Sequence, residues 1–108
     1  MINYDRLPFG LRGAVYRYVE FGVPPGDFLT AVLCNDLRAA CGLADDNNRG
    51  RLFEIVSWFY NEAPEPCWGS PERVRAWVER QTPRRAEATR EEITRYAVPI
   101  RVSTTWNR

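Results

Sequence analysis

Proline placement constrains this chain more than any other feature. Eight prolines occur, at Pro8, Pro24, Pro25, Pro64, Pro66, Pro71, Pro83 and Pro99. A proline inside a helix removes a hydrogen bond and collides with the preceding turn, so these positions cut the chain into segments. The segments themselves carry helical rather than strand periodicity. The expectation is therefore a mainly α fold, a compact bundle of four to five helices joined by stiff corners.

Helix one is predicted from about Leu11 to Phe21, because Leu11, Val15, Tyr18 and Val19 recur at three- and four-residue spacing and Gly22 follows as a C′ glycine. After the corner "VPPGD", a second helix starts near Gly26–Asp27 and runs to about Cys41, with Leu29, Val32, Leu33, Leu37 and Ala40 as its apolar stripe. "ADDNN" supplies caps for a third, from about Asp46 to Asn61, whose stripe is Leu52, Ile55, Val56, Phe59 and Tyr60. Ser70 followed by Pro71 and Glu72 starts a fourth helix over 71–81, which buries Val74, Trp77 and Val78. Thr82 and Pro83 repeat that start, but Ile93, Tyr96 and Ala97 give the following helix a thin apolar face. Beyond Pro99, "IRVSTTW" alternates Ile100, Val102, Thr104 and Trp106, the pattern of a short strand or extended arm. The organisation expected is a helical domain over 1–98 and a C-terminal extended arm over 99–108. An unpaired strand needs a partner, so the arm crosses its own helices or reaches a second subunit in a homo-oligomer.

At 108 residues one hydrophobic core is possible. No apolar run is long enough to span a bilayer, and "MINYDRLPFG" lacks the pattern of a secretory signal, so the expectation is a cytoplasmic protein with no membrane partner. Cys34, Cys41 and Cys67 have no C-x-x-C spacing and read as reduced structural thiols. The chain has no histidine, which excludes Ser-His-Asp and Cys-His catalysis and the commonest zinc ligand sets. Neither a metal, a cofactor nor a catalytic residue is expected. All the basic residues are arginine, and they are unevenly spread: 1–70 carries six Arg against nine Asp and Glu, 71–108 nine Arg against five Glu. A net charge of +1 argues against a duplex-DNA partner.

Binding candidates are the polar and aromatic residues that break the helical patterns. On a wheel of 100° per residue, Asp36 falls on the apolar face of helix two, where a carboxylate must cap a neighbour, tie down the "CWGS" loop, or floor a polar pocket with Asn35, Asn48 or Asn61. Trp58 lies off the stripe of helix three beside Arg51, Glu54 and Asn47, exposed unless another segment covers it, for which the C-terminal arm is the candidate. Tyr16, with Arg12 and Glu20 around it, is a weaker exception of the same kind. Exposed aromatics beside arginine suit protein hot spots and nucleobase stacking alike. Trp68, in "EAPEPCWGSPERVRAW", belongs either to a rigid corner or to a recognition surface, and Trp106 is the arm's aromatic candidate.

Three segments, "YVEFGVPPGDFLTAVLCNDLRAA", "ADDNNRGRLFEIVSWFYNEAP" and "CWGSPERVRAWVER", together resemble a widespread family of small phage- and prophage-encoded proteins of unassigned function. The resemblance spans roughly Tyr16 to Arg80. It implies a phage context, in which small accessory proteins often neutralise host defence, and it carries over no catalytic residue. The function expected is a non-enzymatic phage accessory protein that counters bacterial defence. It would bind a defence protein, as anti-CRISPR inhibitors do, or sequester a cyclic or other signalling nucleotide as a sponge. The alternative is a structural or regulatory phage component whose motifs serve only folding and assembly.

Overall fold

The first long helix ends where its sequence says it should. In the computed structural model, which describes residues 2–96, α1 spans Arg12–Phe21, and Gly22 closes it in the left-handed region at φ 68°. Seven further helices follow among the described residues: α2 (Asp27–Leu33), α3 (Leu37–Leu43), α4 (Asp46–Arg49), α5 (Leu52–Glu62), α6 (Pro71–Arg80), α7 (Thr82–Glu87) and α8 (Arg90–Ile93). No strand occurs among the described residues. The mainly α expectation therefore holds, with more and shorter helices than periodicity indicated. The C-terminal arm over 99–108, Trp106 included, lies outside the described residues.

Three of the expected helices are broken, and each break has a local cause. Helix two stops at Leu33, Asn35 turns the chain at φ 62°, and Asp36 caps α3 by accepting a hydrogen bond from the Ala39 N–H at 3.0 Å. Asparagine is among the few residues that tolerate that conformation. In helix three, Asp45 caps α4 by accepting from the Asn48 N–H at 2.8 Å, and Gly50 ends it before α5. In the last, Thr89 and Glu92 form a reciprocal capping box that starts α8 afresh. The N–H of Thr89 holds the Glu92 carboxylate below its usual range, with the Thr89 hydroxyl contributing second.

The core is built around α1 and α5. Val15, Tyr18, Val19, Leu33, Ile55, Phe59 and Cys67 are all buried in one cluster. The last carbonyls of a helix have no partner within it, and α1 hands its own to a stripe of donors on α6 and α7. Trp77 Nε1 donates to the Tyr18 and Val19 carbonyls at 3.1 and 3.2 Å. Gln81 Nε2 donates to Val19 and Glu20 at 2.9 and 3.0 Å. Arg85 Nη1 donates to Phe21 and Gly22 at 2.8 and 2.9 Å, a cation at the negative helix end. Spaced four residues apart, these three side chains fix the second half of the chain to the first.

The segment between α5 and α6 is a fixed corner. Pro64 starts a short 3-10 turn over Glu65–Cys67. The Tyr18 hydroxyl donates to the Cys67 carbonyl at 2.7 Å, and the Gly69 N–H donates to the Leu33 carbonyl at 2.7 Å. Trp68 leans on Phe59 with ring centroids 5.5 Å apart. Ser70 then caps α6 by accepting from the Arg73 N–H at 3.1 Å. The chemistry of "EPCWGSP" is thus accounted for by one rigid connection between α1, α2, α5 and α6.

Candidate interaction surface

The two aromatics expected at the surface are instead inside. Trp58 is 4% exposed and Tyr16 7% exposed. What covers them is the N-terminal segment, whose 3-10 turn Tyr4–Arg6 folds across α1 and α5. Trp58 Nε1 donates to the Asn3 carbonyl at 2.8 Å, and the Asn3 N–H donates to the Glu62 carboxylate at 3.1 Å. Arg12 holds the same segment from α1, donating to the Asp5 and Leu7 carbonyls. Tyr4 is the hub: its ring lies 5.3 Å from Tyr16, 5.5 Å from Trp58 and 5.7 Å from Tyr96. Burial, and then its 2.7 Å hydrogen bond to the Glu20 carboxylate, push the Tyr4 phenol well above its ordinary value. Burial likewise raises Tyr16. These residues bind the fold together and present little to a partner.

Of the roles open to Asp36, the structure shows the cap of a neighbouring helix, α3, and not a place on an apolar face. Asp36 is exposed, at the N-terminus of α3, and Asn35 beside it is exposed as well. The helix break rotates Asp36 away from the apolar face that an unbroken helix would have given it, and no polar pocket forms there with Asn35, Asn48 or Asn61. Of the remaining candidates, exposed Arg51 lines a small depression with Phe9, Asp45 and Asn48. Asn61 and Trp68 line two different grooves. The candidate residues do not converge on one site.

What the fold leaves outside is the far face of α5. Phe53 is 86% exposed and Tyr60 80% exposed. Phe53 stands at an open groove of about 840 Å³, lined also by Arg6, Glu54, Ser57, Trp58 and Asn61. The Asn61 amide is pinned there by donating to the Ser57 carbonyl at 2.8 Å. Tyr60 faces a second recess of about 340 Å³, shared with Ala63, Glu65, Trp68, Gly69 and Arg73. Leu37 and Leu43, on α3, are also exposed. Phe53, Tyr60 and Arg73 were not among the sequence candidates. Phe53 is legible in the sequence, since it falls off the stripe of its helix; Tyr60 is not, because it continues that stripe at four-residue spacing from Val56.

Among the described residues no cluster of three or more histidine, cysteine, aspartate or glutamate side chains could hold a metal ion. None of the helices there is long and apolar enough to cross a membrane. Burial pushes the Cys67 thiol up to about 12, and burial raises that of half-buried Cys34 too. Both are poor nucleophiles near neutral pH. No protein-family model, curated protein or solved structure matches this chain.

Proposed function

We propose that this protein is a non-enzymatic binding protein that engages a partner protein through the groove at Phe53. One observation carries the reading: a large aromatic side chain, 86% exposed on a rigid helix, stands at a groove whose other walls are mainly polar. An apolar anchor within a polar rim is the anatomy of a protein interface, where a few aromatic residues supply most of the affinity. The groove's walls are preorganised, because Trp58 and Glu62 are already tied to Asn3. Such a surface loses little conformational freedom on binding. The resemblance to small phage-encoded proteins makes a bacterial defence component, in the host cytoplasm, the partner proposed.

Affinity capture from bacterial lysate, read by mass spectrometry, tests this. The wild-type chain should retain a discrete partner that Phe53→Glu releases at an unchanged melting temperature. An identical capture profile for the two proteins would refute the assignment of the groove.

A further inference from the structure

We propose that the recess between Tyr60, Trp68 and Arg73 is a binding site for a ring-bearing anion of the nucleoside monophosphate class. Two rings line it, the 80% exposed phenol of Tyr60 and the half-buried indole of Trp68, which Phe59 supports from within the core. Aromatic side chains stack bases of any identity, because every base has a π face.

Arg73 supplies the charge, and how it is held matters most. Its Nη1 donates to the Glu65 and Trp68 carbonyls at 3.3 and 3.4 Å. Those carbonyls aim the guanidinium without neutralising it. The ion pairs among the described residues are Arg49–Asp46, Arg75–Glu72 and Arg84–Glu20, and Arg73 is in none of them. Its Nε and Nη2 donate no hydrogen bond among the described residues, so a pre-aimed fork remains for a phosphate.

Gly69, on the same recess, turns the chain at φ 122°, a conformation side chains rarely adopt, and leaves the Arg73 side chain as its nearest neighbour. The Glu65 carboxylate, on the same recess, is an acceptor suited to a ribose hydroxyl or an exocyclic amine. The volume, about 340 Å³, is at the lower end for small-molecule sites. That fits one nucleotide rather than a dinucleotide. This site is separate from the groove at Phe53, and either assignment can fail without the other.

Calorimetric titration of the full chain with AMP, adenosine and inorganic phosphate, with indole N–H shifts followed by NMR, tests the proposal. AMP should bind more tightly than either fragment and shift the Trp68 signal. Tyr60→Ala, a substitution at an exposed position, should weaken AMP and adenosine together, roughly five- to hundredfold. Arg73→Gln should weaken AMP about tenfold or more while leaving adenosine unchanged. Phe53→Glu should bind AMP as the wild type does. The proposal is overturned if AMP gives neither heat nor a Trp68 shift at millimolar concentration, if Tyr60→Ala leaves its affinity intact, or if AMP binds no better than adenosine. Should Arg73→Gln fail to fold, the Tyr60→Ala and adenosine comparisons still decide.

Discussion

Replacing Gln81 with Met tests how the two halves of the chain are joined. The side chain is 8% exposed, and its Nε2 serves the Val19 and Glu20 carbonyls at 2.9 and 3.0 Å. Methionine keeps the length and apolar contact but donates nothing. Val19 would retain Trp77 Nε1 at 3.2 Å, whereas the Glu20 carbonyl would lose its side-chain donor at the end of α1. One orphaned, partly buried carbonyl costs about 1 kcal/mol, at the low end of the range for an unsatisfied buried group. For a domain of this size that lowers the melting temperature by roughly 4–8 °C per kcal/mol. Gln81→Glu should cost more, since it sets a carboxylate against two carbonyls. Urea titration with the slope monitored is the assay, because a stability loss should move the midpoint and leave the slope alone. A midpoint for Gln81→Met equal to wild type would refute the claim that this stripe of donors holds α6 and α7 to α1.

Gly22→Ala should destabilise on two counts: φ is 68°, and its Cβ would stand 2.8 Å from both Arg85 Nη1 and Gln81 Cβ. The expected loss is at least the roughly 1 kcal/mol of a left-handed non-glycine residue, measured by thermal denaturation; a neutral result would mean the Arg85 contact is not maintained in solution. Asp36→Ala should cost about 1 kcal/mol, the value of an exposed N-cap, and Asp36→Asn close to nothing. A loss of several kcal/mol would contradict the exposed placement. Stability should also depend on Cys67 at high pH. Its thiol is raised from 9.0 to about 12 in the folded chain, so its contribution is full below pH 9 and is lost as pH rises toward 12. Cys67→Ala should flatten the decline over that window, and an unchanged pH profile would refute the burial argument.

How much of this could be read from sequence depended on whether the cause was local. Gly22 after α1, and Ser70–Pro71 before α6, are signals whose chemistry acts within one turn, and both stand where expected. The break at Asn35–Asp36 was hidden because Leu37 and Ala40 continue the apolar period of α2 across it; only the paired turn and cap residues betray it. Tyr60 misplaced the apolar face of α5. The buried residues there are Ile55, Trp58 and Phe59, and on a helical wheel Tyr60 lies about 140° from Ile55 while Trp58 lies about 60° away. A stripe that includes Tyr60 is centred away from Trp58 and leaves it outside. The cover over Trp58 and Tyr16 was illegible for a different reason. Tyr4 and Leu7 lie in a segment with no helical period, and the packing of that segment on α1 and α5 is non-local. Of the sequence candidates, Trp58 and Asn61 line the first groove and Trp68 the second, yet the exposed aromatic residues at those grooves are Phe53 and Tyr60, with exposed Arg73 on the second.

Phage plating on a panel of defence-carrying bacterial strains, each with and without expression of this chain, most directly tests the central claim that it works by occupying a partner's surface. The account predicts restored plating on at least one strain, abolished by Phe53→Glu at an unchanged melting temperature. Restored plating that survives Phe53→Glu, or no response from any strain, would contradict it.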